Sequence, residues 1–62
     1  MKVSEVLRRL RADGWVKVKS KGGHRQFKHP TQPGRVTVAG KPSHTIPPAT
    51  LRSIFKQAGW DD

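Results

Sequence analysis

The ten residues KGGHRQFKHP, Lys21 to Pro30, place two of the chain's three histidines among three cations and behind a pair of glycines. Imidazole exchanges a proton near neutral pH, the free side chain titrating at about 6.5. Cations beside it can bind phosphate and stabilise the negative charge that builds in a transition state. RNA suits this pairing, because its 2′-hydroxyl is a nucleophile already in place beside the scissile phosphate. The protein need only remove that proton, hold the phosphorane charge and assist the leaving oxygen. His24 is the candidate, since Gly22 and Gly23 let a substrate backbone approach it. A histidine with only a structural role in a hairpin is the competing reading, and residue types alone leave both open.

Other chemistries fail on counting. Glu5, Asp13, Asp61 and Asp62 are the only carboxylates. Two-metal phosphodiester cleavage needs clustered carboxylates that hold cations about 4 Å apart, and these four are scattered. Three histidines with no cysteine and no HExxH pattern make no zinc signature. No glycine-rich loop opens a helix, so nucleotide binding of the P-loop kind has no support. Neither a metal nor a small-molecule cofactor is expected. His29 precedes Pro30, which holds it extended, and alternation puts it on the side of Phe27, a structural position. His44 sits in a loop between Ser43 and Thr45 and is set aside.

The chain is 62 residues long, which fits a single domain over 1–62 with one thin core. Hydrophobic residues make up 32% of it, but they recur regularly, so a folded domain is expected rather than a disordered tail. Thirteen Lys and Arg against four Asp and Glu leave a net charge of +9. That field attracts polyanions: nucleic acid first, an acidic protein second. A membrane surface fits poorly, because neither helical segment has a wide apolar face beside its cations. No apolar run approaches the roughly 20 residues of a spanning helix, and the N-terminus lacks a signal-peptide core. The absence of cysteine excludes a disulfide framework and agrees with a cytoplasmic protein.

Five elements can position the candidate residues. SEVLRRLRADGW predicts a first helix capped by Ser4, with Val3, Val6, Leu7 and Leu10 as its apolar stripe. Arg8, Arg9 and Arg11 lie off that stripe, in water. Gly14 stops the helix, and Trp15 packs back on Leu10. The second helix repeats the design. Pro47 and Pro48 start it, Leu51, Ile54, Phe55 and Ala58 form its stripe, Gly59 ends it, and Trp60 returns to Phe55. Between the helices, WVKVKS, HRQFKH and RVTVA alternate as strands, with Gly22-Gly23 as a tight turn and PTQPG as a longer loop. The expected fold is α+β, in the order α-β-β-β-α, with both helices on one face of a three-stranded antiparallel sheet. AGKPSHTIPP, which leads into the second helix, is expected to be its loosest part.

Alternation then divides the sheet. Val16, Val18, Phe27, Val36 and Val38 are expected to face the helices. Lys17, Lys19, Gln26, Lys28, Arg35 and Thr37 are expected on the open face, and the same period adds His24. Both tryptophans read as helix-end packing rather than base-stacking platforms.

DGWVKVKSKGGHRQFKHPTQPGRVTVAGKP followed by LRSIFKQAGW resembles the HicA family, small ribonuclease toxins of bacterial toxin–antitoxin systems. The resemblance runs from VLRRLRADGW to the final AGW, and three features agree in order and spacing. These are the helix-Gly-Trp junction, the Gly-x-His turn and the LRSIFKQAG helix. It implies a fold like that of double-stranded-RNA-binding domains, cleavage of mRNA, and neutralisation by a HicB-type antitoxin. In that family the histidine of a Gly-Ser-His turn is catalytic, and it maps onto His24. Gly23 stands where the family commonly has serine, and Gly22 carries a conformational role.

The combined expectation is a metal-independent endoribonuclease toxin, an mRNA interferase, with His24 as general base or acid. Lys17, Lys19, Lys21, Gly22, Gly23, Gln26, Lys28 and Arg35 form its RNA-binding set, and its partner is an acidic HicB-type antitoxin. Two alternatives stay open: an RNA-binding module that never cleaves, and an inactivated toxin homologue marked by Gly23.

Overall fold

A computed structural model describes residues 1–18 and 24–61. Lys19, Lys21, Gly22 and Gly23, and the turn expected at the two glycines, lie outside the described residues. The element order is helix α1 (Val3–Ala12), strands β1 (Val16–Val18), β2 (His24–Lys28) and β3 (Val36–Ala39), then helix α2 (Pro48–Ala58). The strands form one antiparallel sheet in the order β1-β2-β3. This is the expected α-β-β-β-α fold. No helix among the described residues is long and apolar enough to cross a membrane.

Helix α1 buries the whole stripe that its periodicity predicts, and α2 buries part of its own, with Phe55 half-buried outside the core cluster beneath Arg9. Val3, Val6, Leu7 and Leu10 of α1 are buried, as are Ile54 and Ala58 of α2, while Leu51 packs partly buried against them. They meet Phe27, Val36 and Val38 from one face of the sheet in a single cluster that also takes in Trp15 and Ile46. The helix ends match as expected. Gly14 and Gly59 take positive φ (95° and 76°), a region open to glycine at little cost. The next amide then folds back, Trp15 N–H to the Leu10 carbonyl and Trp60 N–H to that of Phe55, each at 2.9 Å.

The start of α1 departs from expectation. Val3, not Ser4, is its first residue; the cap position is Lys2, and the side chain that serves this end is Glu5, which accepts the Lys2 amide. The early amides of Val3 and Ser4 donate instead to the carbonyls of His44 (2.9 Å) and Pro42 (3.0 Å). Carbonyls from a distant loop thus satisfy groups that a serine hydroxyl would otherwise serve. The same contacts fasten the connection expected to be loosest. The Ile46 amide donates to the Met1 carbonyl, Lys2 bridges to Thr45, and Ile46 is buried.

Strand β1 reverses the expected faces. Val16 lies opposite Lys28, Lys17 opposite Phe27, and Val18 opposite Gln26. Cross-strand partners share a face, so Lys17 is on the helix side and the two valines are on the open side. Val16 is accordingly 61% exposed and Trp15 only 2%. Residues 15 and 16 of an extended chain cannot both point inward. Burying a tryptophan removes some 150–250 Å² from water, worth about 4–6 kcal/mol at 25 cal/mol/Å². A valine offers only about 2 kcal/mol. Trp15, already turned back by its bond to Leu10, sets the phase.

Candidate active site

The open face of the sheet is assembled by register. On β2, His24, Gln26 and Lys28 alternate onto it; their β3 partners are Ala39 for His24 and Thr37 for Gln26. Val16 and Val18 complete it from β1. Arg35, just before β3, joins through a hydrogen bond from its Nη1 to Gln26 Oε1 at 2.8 Å. His24 is exposed, Lys28, Arg35 and Thr37 are exposed, and Gln26 is half-buried at the centre.

Sequence alternation therefore locates His24, Gln26, Lys28, Arg35 and Thr37 correctly and misplaces Lys17. Its ammonium stem leaves from the other side of the edge strand, and two valines occupy the expected lysine ground. Lys19, Lys21, Gly22 and Gly23 of the expected set lie outside the described residues. The conflict between an inward Trp15 and an inward Val16 is the signal that could have revealed the switch.

The face carries no carboxylate among the described residues. Glu5 accepts the Lys2 amide at 2.8 Å. Asp13 sits at the end of α1, where its Oδ2 accepts both indole N–H groups, from Trp15 at 3.2 Å and Trp60 at 3.1 Å. Asp61 lines a groove beside α2 with Arg52 and Lys56. The positive charge of Lys28 and Arg35 is thus left facing outward without an acidic neighbour on the sheet, the condition for attracting a polyanion. Among the described residues no three His, Asp or Glu side chains converge as a metal-binding group.

The other two histidines are spoken for differently. His29 Nδ1 accepts the amides of Thr31 (3.1 Å) and Gln32 (3.2 Å), which leaves the proton on Nε2 to donate to the Asp13 carbonyl at 2.8 Å. Its ring meets Trp15 edge-on at 5.1 Å. His29 is a structural tie between the β2–β3 loop and the end of α1, as expected. His44 contributes its main-chain carbonyl to the start of α1. Among the described residues only His24 keeps its ring nitrogens without a hydrogen-bond partner while standing on the open face. Arg25, its neighbour, points the other way and donates to the Gly40 carbonyl at 2.7 Å. Arg9, expected in water, lies over the Trp60 ring at 4.3 Å and the Phe55 ring at 5.2 Å.

Two helices packed on one face of a three-stranded sheet, with an exposed histidine and the cations Lys28 and Arg35 on the other, define a small α+β protein with a cationic open face. A family model described as the HicA toxin of bacterial toxin–antitoxin systems matches residues 3–60. The chain belongs to the HicA toxin family, and its function is that of a toxin paired with an antitoxin. A search of curated proteins returned no match.

Proposed function

We propose that this toxin is a metal-independent endoribonuclease acting on mRNA in the cytoplasm, with His24 as its general base or acid. The observation that carries the reading is the position of His24. It is an exposed imidazole on a face that holds Lys28, Arg35 and Gln26 and, among the described residues, no carboxylate.

In the cleavage step His24 takes the proton of the 2′-hydroxyl as its oxygen bonds to phosphorus. The bond from phosphorus to the 5′-oxygen breaks, and that oxygen leaves with a proton from water or a nearby acid. The products are a 2′,3′-cyclic phosphate and a 5′-hydroxyl. Lys28 and the charge of Arg35, toward the other end of β2 from His24, hold a neighbouring phosphate of the same strand. Lys19 and Lys21, close to His24 in sequence, add to the local positive charge. An acidic HicB-type antitoxin would cover this face, since opposite charge speeds encounter and discourages other partners.

The deciding comparison is between the purified parent and His24→Ala on an RNA oligonucleotide in EDTA. The parent should leave cyclic phosphate ends, and the variant should bind the same RNA and leave it whole. Equal cleavage by both would remove His24 from the chemistry. Binding without cleavage by either would make the protein an RNA-binding module or an inactivated toxin.

A further inference from the structure

Gln26 occupies the middle of the middle strand, half-buried, with His24 and Lys28 two residues away on either side. Successive residues on one face of a strand are about 7 Å apart, so the Gln26 amide and the His24 ring can reach neighbouring parts of one bound strand. A free glutamine amide can rotate to present either its oxygen or its nitrogen. This one is not free. Arg35 Nη1 donates to Oε1 at 2.8 Å, and a guanidinium has no acceptor, so the oxygen must be the atom that faces it. The NH₂ group is thereby turned away from Arg35, and among the described residues nothing accepts from it.

We propose that Gln26 is a contact to the RNA phosphate backbone, presenting donors only, and that Arg35 is the positioning residue that sets its amide. This rests on the ribonuclease reading above and deepens it. With its oxygen occupied, the amide cannot make the paired donor–acceptor contact by which glutamine recognises adenine. It can donate to an oxygen. Such an oxygen belongs either to a phosphate or to a base carbonyl, and the flanking Lys28 and Arg35 favour phosphate. The contact is neutral, so it adds affinity without releasing a counterion, and in this it differs from every lysine on the face.

The test is RNA binding in a His24→Ala background, where cleavage plays no part, with single-stranded oligonucleotides of different base composition. Gln26→Ala should weaken binding about threefold to tenfold, the worth of one hydrogen bond, while leaving the slope of log affinity against log salt unchanged. Arg35→Lys keeps the charge but loses the planar fork, and should lose a similar factor. The double variant should lose no more than either single one. Gln26→Glu, which can still pair with Arg35, should bind worse than Gln26→Ala because it offers only acceptors to phosphate. Circular dichroism melts should be unchanged throughout.

Equal losses across base compositions assign the phosphate, whereas a loss confined to particular bases overturns it in favour of base reading. Additive losses, or an Arg35→Lys protein that binds like its parent, would overturn the positioning role. If the parent binds RNA and Gln26→Ala is unaffected, the contact is wrong and the ribonuclease reading stands. If the parent binds no RNA, both fall.

Discussion

The carboxylate of Asp13 accepts the indole N–H of Trp60 at 3.1 Å, joining the end of α1 to the end of α2 across 47 positions of chain. The same oxygen accepts Trp15, so one acidic residue satisfies both tryptophans. Asp13→Ala leaves two indole donors without that acceptor. The site is open enough for water to replace part of the loss, and a cost of about 1–3 kcal/mol is expected. For a domain this small each kcal/mol lowers the melting temperature by about 4–8 °C. Asp13→Asn, which keeps an accepting oxygen, should lose less. A melting temperature for Asp13→Ala equal to the parent's would show that the bridge contributes nothing.

Gly14 and His29 are mutually dependent. A Cβ on Gly14 would come within 2.9 Å of His29 Nε2, and Gly14 has φ of 95°. Gly14→Ala therefore faces about 1–2 kcal/mol of backbone strain as well as displacement of the imidazole from the Asp13 carbonyl. His29→Ala should destabilise through the lost hydrogen bonds, and its folded fraction should cleave RNA as the parent does. Loss of cleavage from a fully folded His29→Ala protein would mean that the wrong histidine has been placed in the chemistry.

The phase of β1 can be read by substitution. Val16→Ser, on the exposed side, should change stability by less than about 0.5 kcal/mol. Val38→Ser, in the fully buried core, should cost about 2–4 kcal/mol, since it leaves a gap and a hydroxyl without a partner. Denaturant titration of the two separates the registers. Equal destabilisation would restore Val16 to the core.

The salt dependence of RNA binding should show which cations lie on the interface. Each neutralised phosphate contributes about 0.7 to the slope of log affinity against log salt on a single strand. Lys28→Ala should lower the slope by up to that amount, and Lys17→Ala by less, because Lys17 leaves from the helix side of the sheet. A larger effect at Lys17 would move the interface to the edge of β1.

Local chemistry made much of this molecule legible. The α1 stripe, the α2 stripe apart from Phe55, both Gly-Trp endings and the structural place of His29 follow from spacing and from glycine's conformational range. His24 and Gln26 reach the open face by the period of β2 alone. The faces of β1 and the start of α1 escaped for different physical reasons. For β1, Trp15 reads inward as a helix ending and Val16 inward as a strand residue, and energy allows only one. For α1, the amides of Val3 and Ser4 are met by main-chain carbonyls of His44 and Pro42, and a carbonyl carries no residue type to recognise. The hydrogen bond between Gln26 and Arg35 joins two residues nine apart, and it needed the β2–β3 register to become visible.

Gln57 Oε1 accepts the Thr37 amide at 3.1 Å, so a side chain of α2 closes off a main-chain donor of β3, the last strand on its side of the sheet. An open strand edge invites another chain to add to it, which is how many β-proteins aggregate. The helix thus works as a stopper as well as a lid on the core. At that side of the sheet one donor that an added strand would need is already taken, and pairing there requires that Gln57 first let go.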